Sequence, residues 1–119
     1  MLEGVAYGLR DSLELLRSVG VQAAGARVSG GGARSDLWLR IVASVLGLAL
    51  ERTEAEEGAA YGAALLGAVD KGVFPDAHAA VAATVRVRDR VDPDPDWQDV
   101  YADGYARYRR LYPALKPLA

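Results

Sequence analysis

The sequence contains no cysteine and a single histidine, His78. Without cysteine the chain can form neither a disulfide framework nor a thiolate metal site, and one histidine cannot build a multi-histidine cage. A metal ion bound by side chains would therefore depend on carboxylates, and we predict no metal ligands in this chain. His78 is assigned no role, because no second ligand or nucleophile stands near it in the sequence.

Long apolar runs and a dominant charge are also missing. No stretch approaches the roughly 18 consecutive apolar residues of a membrane span, and no basic segment followed by an apolar core marks a signal peptide. The net charge is −2, from 14 basic and 16 acidic residues, which provides no broad basic field for nucleic acid. We therefore expect a cytoplasmic protein with neither nucleic acid nor a membrane as partner.

The remaining composition is ordinary for a folded protein, with 119 residues of which 51% are hydrophobic and 25% are charged. A chain of this length predicts one domain. A domain this small buries a smaller fraction of its surface than a larger one does. We therefore expect its stability to depend on a partner surface, which a homo-oligomer would provide.

Hydrophobic periodicity predicts alternating helices and strands. A helical stripe covers residues 2–19 and ends at Gly20, a period-two segment at 26–29 predicts a strand, and a helix with Leu37 and Ile41 on its apolar face ends at Gly47 before a strand at 48–50. Strand, helix and strand make a βαβ unit with parallel strands. Further helices are predicted at about 57–71, 75–83 and 97–112, and residues 84–91 alternate apolar and charged side chains.

These elements predict an α/β fold class, a short parallel sheet flanked by helices. Two or three short strands make too small a sheet to stand comfortably alone. We therefore expect the rest of the sheet to lie in chain outside this sequence.

The loop between the first strand and the second helix, residues 29–35, reads SGGGARS. Three residues without side chains let the backbone bend sharply and let a flat or anionic ligand approach closely. Ligands of open α/β sheets bind at the carboxyl ends of the strands, where this loop lies. A ligand site and a tight turn without any ligand both explain the triplet.

Two familiar phosphate-binding motifs do not fit this loop. A Walker A loop needs lysine and then serine or threonine after its last glycine, whereas Ala33, Arg34 and Ser35 follow here. A dinucleotide fingerprint that starts at Gly30 needs a small residue where Ser35 stands and an acidic residue placed for the ribose. Asp36 at the helix start favours the neutral adenosine end of a nucleotide over a phosphate. Capping of the helix alone also explains Ser35 and Asp36.

Three motifs in order resemble a known family. They are LEGVA at residues 2–6, GGGARS at 30–35 with LW and VLG behind it, and EGAAYGAALL at 57–66. Together they resemble the C-terminal domain of FGGY carbohydrate kinases, the xylulokinases in particular, over nearly the whole chain. The resemblance implies the ribonuclease H-like fold of the sugar kinase, hexokinase and actin group, in which two such domains close over ATP and sugar.

The same resemblance implies roles for four residues. Gly31, Gly32 and Ala33 match the family loop whose backbone packs against adenine and ribose, and Ser35 stands where a polar residue faces the base. The family's catalytic aspartate, its sugar contacts and most of its phosphate and magnesium ligands lie upstream of the matched region. We therefore expect no catalytic residue in this chain, no phosphoryl transfer by it alone, and sugar contact only through an absent N-terminal domain.

The sequence departs from the family pattern at Arg40, where glutamine is frequent, and at Ser44, where aspartate is frequent. Other features have structural explanations. Gly58 and Gly62 permit close packing of the third helix, and acids before that helix complement its dipole. The aromatic stripe of the last helix is predicted to be core rather than a stacking platform; its members are Trp97, Tyr101, Tyr105, Tyr108 and Tyr112.

Two functions remain open at this point. In the first, residues 1–119 are the C-terminal nucleotide-binding part of a sugar kinase that uses ATP and magnesium to phosphorylate a ketose such as D-xylulose at a terminal hydroxyl, and they supply the adenosine side of the ATP site. In the second, the chain is a non-catalytic nucleotide-binding or interaction module that associates through its exposed sheet edge.

Overall fold

The computed structural model describes residues 1–55 and 58–118. These residues form helices and strands in the order α1 (Leu2–Ser18), β1 (Gly25–Val28), α2 (Asp36–Leu46), β2 (Ala49–Thr53), α3 (Gly58–Asp70), α4 (Ala77–Thr84), β3 (Val87–Val91) and α5 (Pro95–Leu115). Short 3₁₀ turns cover Gly31–Arg34 and Lys116–Leu118. Each predicted helix and strand is present, although the acids expected at the start of the third helix, Glu56 and Glu57, lie outside the described residues.

The strands form one sheet in the order β1, β2, β3. β1 and β2 are parallel, with Gly25 opposite Ala49, so the crossover through α2 is confirmed. β3 pairs antiparallel with β2, and a bulge interrupts the register at Arg52 and Thr53. The sheet is therefore mixed, as in many α/β folds that carry an antiparallel edge strand on a parallel core.

The core lies around α2, which packs against α1, α5 and the sheet. The largest fully buried side chains are Leu39 and Val45 of α2 and Leu50 of β2. Gly47 ends α2 with a φ of 65°, a left-handed conformation that favours glycine and that the sequence predicted. The expectation for Leu37 was wrong, because this side chain is 56% exposed. Leu37 lies on the same face of α2 as Ile41, but it is one turn closer to the helix start, beyond the packed region.

Helices α1 and α5 meet through two glycine and tyrosine contacts. The ring of Tyr7 lies over Gly104, and the hydroxyl of Tyr108 lies 3.7 Å from the position that a Cβ on Gly8 would take. The rings of Tyr7 and Tyr108 have centroids 5.6 Å apart. Tyr105 is buried and donates a hydrogen bond of 2.6 Å to Asp11, and burial raises the pKa of its hydroxyl to about 12.

The prediction of a core aromatic stripe is confirmed for Tyr105, and Trp97 and Tyr101 pack against the core. It is wrong for Tyr112, whose side chain is 71% exposed. The C-terminal part of α5 is separated from α1 by an open groove of about 980 Å³, and Tyr112 lines that groove.

The two departures from the family pattern meet at the start of α5. The guanidinium of Arg40 donates to the carboxylate of Asp94, with an Nε to Oδ2 distance of 3.1 Å, and lies 4.4 Å from the centroid of the Trp97 ring. The hydroxyl of Ser44 accepts a hydrogen bond of 2.9 Å from the backbone N–H of Asp94 and donates to the carbonyl of Arg40. Arg40 and Ser44 therefore act together, since both bind the residue that caps α5.

Replacement of Gly104 by alanine should destabilise the protein, whereas the same change at Gly67 should not. Both glycines lie inside helices, where alanine is favoured by about 1 kcal/mol. A Cβ on Gly104 would lie 2.9 Å from Cζ of Tyr7, whereas nothing lies within 4 Å at Gly67. Because Tyr7 is packed among three other tyrosines, its displacement should lower the free energy of unfolding by about 1–3 kcal/mol. Urea denaturation of G104A and G67A measures both effects, and equal shifts would contradict the packing described for Tyr7.

Stability should also fall at acid pH through the pair of Arg40 and Asp94. The hydrogen bond from Arg40 lowers the pKa of Asp94 below its ordinary value of 3.8. The unfolded chain therefore binds this proton more tightly, so the stabilisation is complete above about pH 5 and is lost as the pH falls through the folded pKa.

Asp94→Ser tests this effect because serine retains an oxygen that can cap the helix but carries no charge. We expect the melting temperature of D94S to change less than that of the parent protein between about pH 5 and pH 2. Asp92→Ser is the control, because Asp92 pairs with Arg90 on the surface. Identical pH profiles for D94S and D92S would contradict the assignment.

Candidate functional site

The glycine loop leaves the carboxyl end of β1 as a defined turn. Gly30 has a φ of 85° and a ψ of −178°, a combination found almost only in glycine. The backbone N–H of Ala33 donates to the carbonyl of Gly30 at 3.0 Å, and that of Ser35 donates to the carbonyl of Gly32 at 3.2 Å. The turn therefore holds the loop against the end of the sheet.

The three predicted loop residues have different surroundings. Gly31 faces open space, because no atom of the described residues 1–55 and 58–118 lies within 4 Å of the position that its Cβ would take. Gly32 lies against the indole of Trp38, with 3.3 Å between its Cβ position and Nε1. The carbonyl of Ala33 points inward and accepts a hydrogen bond of 3.3 Å from Arg52. Gly31 is therefore the open residue of the loop, whereas Trp38 packs against Gly32 and Arg52 binds Ala33.

Ser35 is the N-cap of α2. Its hydroxyl accepts a hydrogen bond of 3.2 Å from the backbone N–H of Trp38. The capping interpretation of this residue is therefore confirmed. Its second role, facing the base of a nucleotide, stays a prediction.

The loop and the start of α3 enclose an open cleft. Its volume is about 340 Å³ and its lining residues are Ser29, Gly30, Gly31, Arg34, Gly58, Ala59 and Ala60. The two sequence motifs, the glycine loop and the start of α3, therefore lie side by side. They meet at the carboxyl end of β1, where ligands of α/β sheets bind. The lining of the cleft combines glycine and alanine with the polar side chains of Ser29 and Arg34, and the cleft admits a flat group that approaches the glycine backbone.

Among the glycines of α3, only Gly58 is closely packed against the described residues. A Cβ on Gly58 would lie 2.8 Å from Oγ of Ser29, so α3 starts in direct contact with the glycine loop. The packing expected at Gly62 is not found, since nothing lies within 4 Å of its Cβ position. Gly58 thus has a specific reason to be glycine, the approach of the helix to the loop, which the spacing of the motif alone did not reveal.

Arg52 is the residue of the site that sequence reasoning missed. Its side chain is 13% exposed and extends from β2 to the base of the loop. Nε and one terminal nitrogen each donate to the carboxylate of Asp89 at 2.6 Å, and the other terminal nitrogen donates to Asp36 at 2.6 Å and to the carbonyl of Ala33. The predicted strand covered residues 48–50 and left Arg52 outside it, whereas β2 extends to Thr53.

The charges around Arg52 favour one another. The hydrogen bonds that Arg52 donates to the carboxylate of Asp89 raise the pKa of Arg52 and lower the pKa of Asp89. Arg52 also offsets the charge of Asp36, which the sequence alone had indicated as unfavourable for an anion near the helix start. Because Arg52 also pairs with Asp89, these three groups together keep a net negative charge, which favours the neutral adenosine end of a nucleotide over its phosphates.

In residues 1–55 and 58–118, no three histidine, aspartate or glutamate side chains lie close enough to hold a metal ion. Within the same part of the chain, no helix has the length and apolar character needed to cross a membrane.

Comparison with known proteins shows the family. The sequence model described as "FGGY family of carbohydrate kinases, C-terminal domain" matches residues 1–70. The xylulose kinase of Staphylococcus epidermidis RP62A is 32% identical over 118 residues, which are 99% of this chain and 24% of that protein. The L-xylulose/3-keto-L-gulonate kinase of Escherichia coli K12 is 34% identical over 117 residues, 96% of this chain and 23% of that protein. The chain thus spans about a quarter of the length of these curated relatives.

A solved structure gives the same result for the fold. The xylulose kinase of Rhodospirillum rubrum superposes with a TM-score of 0.81 and 32% identity, over 98% of this chain and 24% of that one. The predicted α/β fold of the sugar kinase, hexokinase and actin group is therefore confirmed. The chain belongs to the FGGY family of carbohydrate kinases, and its first 70 residues match the C-terminal domain of that family.

Proposed function

We propose that this chain supplies the adenosine side of the ATP site of a sugar kinase. The observation that carries the proposal is the open face of Gly31, which lies beside the start of α3 at the carboxyl end of β1. A flat base can approach the backbone there without meeting a side chain. Residues 1–119 then act as the C-terminal nucleotide-binding part of the kinase.

The residues present fit the adenosine end of a nucleotide better than its phosphates. Gly31, Gly32 and Ala33 would pack against adenine and ribose, and Ser35 would lie near the base. Arg34 lines the same cleft and adds positive charge. When bound, ATP with magnesium supplies the phosphoryl group and the charge neutralisation of the transfer. We propose that most of the magnesium ligands lie outside this chain, as the resemblance to the family implies.

The names of the relatives support a proposal for the substrate of the whole enzyme. One is a xylulose kinase and the other an L-xylulose/3-keto-L-gulonate kinase. We therefore propose a ketose such as D-xylulose, phosphorylated at a terminal hydroxyl, with the sugar held by an N-terminal domain outside this sequence. We also propose a cytoplasmic enzyme, because ATP is available there, and a homo-oligomer as its assembly, because so small a domain gains stability from a partner surface.

Gly31→Val should weaken ADP binding without unfolding the chain. A valine side chain would occupy the space that the base needs, but it would meet no protein atom within 4 Å of its Cβ. We expect calorimetric titration to show weak binding of ADP to the parent chain, because half of the cleft lies elsewhere, and affinity at least about tenfold lower for G31V. Gly4→Val is the control, since Gly4 lies on α1 with equally open space around it.

Three outcomes would contradict parts of this proposal. Equal ADP affinity of G31V and G4V would contradict the proposal that the base packs against the glycine loop. Phosphoryl transfer to a ketose by the purified chain would show that catalytic groups lie within it. Absence of ADP binding to all three proteins would favour an interaction module, which the position of β1 at the edge of the sheet supports.

A further inference from the structure

Arg52 lies on the central strand of the sheet, and its side chain contacts both the glycine loop and β3. In the strand register it lies opposite Val28, the last residue of β1 before the loop, and opposite Asp89 of β3. Its side chain therefore starts directly beneath the loop. A side chain at this position can bind the sheet and the loop at the same time and so hold the loop in place relative to the sheet.

The pair with Asp89 fixes the orientation of the guanidinium group of Arg52. Two of its nitrogens donate to the two oxygens of Asp89, each at 2.6 Å, and such a bidentate pair determines the orientation of the planar group. The remaining nitrogen then points to Asp36 at 2.6 Å and to the carbonyl of Ala33 at 3.3 Å. Lysine has a single nitrogen and no fork, so it cannot make these contacts in the same geometry.

The loop itself has few internal constraints. Its backbone turn is closed by the hydrogen bonds of Ala33 and Ser35, and three consecutive glycines lose more conformational freedom on ordering than other residues. An anchor on the carbonyl of Ala33 reduces this freedom before a ligand arrives. Affinity rises when such ordering is already complete in the free protein.

We propose that Arg52 is a positioning residue that holds the glycine loop, through Ala33 and Asp36, in the shape that accepts the nucleotide. This inference rests on the proposed function for its ligand. Its structural half, the ordering of the loop by Arg52, stands independently of any ligand.

The test compares Arg52→Gln, Arg52→Lys and the control Arg27→Gln. Arg27 lies on the neighbouring strand β1 and pairs with Glu51 at 3.5 Å in an exposed position, so R27Q removes an arginine from the same sheet without contact to the loop. Amide hydrogen exchange is measured by NMR for Ala33 and Ser35 and, as a reference for the core, for Val45. ADP affinity of each protein is measured by calorimetry.

We expect the loop amides of R52Q to exchange about tenfold faster or more relative to Val45, the size expected from loss of a charge-assisted hydrogen bond. ADP affinity should fall by a similar factor in R52Q and by less in R52K, because lysine retains the charge but not the fork. R27Q should match the parent protein in both measurements. If R52Q does not fold, Asp89→Asn replaces it, since D89N keeps Arg52 but weakens the pair that orients it.

Unchanged exchange of Ala33 and Ser35 in R52Q would overturn the proposal, as would equal acceleration of the loop amides and Val45, which marks a general loss of stability. If the parent chain binds ADP, equal ADP affinities of R52Q and R27Q would also overturn the proposal. If the parent chain binds no ADP while the loop amides of R52Q exchange faster, the proposed function fails in this chain and the ordering of the loop by Arg52 is upheld.

Discussion

The burial of α2 is the interaction on which the rest of the structure depends. Leu39 and Val45 of this helix are almost completely inaccessible to solvent, and burial of one such side chain contributes roughly 1.5–3 kcal/mol. Exposed ion pairs contribute about 0–1 kcal/mol each. Because α2 connects β1 with β2, its packing fixes the parallel pairing and places the glycine loop at the end of the sheet. Polar contacts such as those of Arg52 then act on the shape of a loop whose position is already determined.

The sequence predicts those parts of the fold that depend on neighbours along the chain. Gly47 ended a helix as expected because a left-handed residue favours glycine, and the parallel pairing followed from a helix between two strands. The exposure of Leu37 and Tyr112 was not predictable in this way. A helical stripe shows which side chains face the same direction, but how far along the helix the neighbouring elements cover them is a property of the tertiary structure.

The same distinction applies to the site. Gly31, Gly32, Ala33 and Ser35 are adjacent in the sequence, so their motif indicated a loop, and the capping hydroxyl of Ser35 is a local contact. Arg52 reaches Asp89 across 37 positions and Asp36 across 16, and these contacts exist only because the strand register brings the residues together. The contact of Gly58 with Ser29 has the same origin. Long-range polar contacts thus remain the part of the site that periodicity and motifs do not reveal.

The two walls of the cleft differ in how they are attached to the protein. The loop is joined to the sheet, whereas α3 has no buried residue in its described span and contacts the rest of the chain through Gly58, through α4 and through the hydrogen bond from the Tyr61 hydroxyl to the carbonyl of Thr84. Segments with few buried contacts open by local unfolding at a lower free energy than the whole domain. We therefore expect the α3 wall to open at a lower free energy than the rest of the domain, and a ligand that contacts both walls would couple its own binding to the local folding of α3.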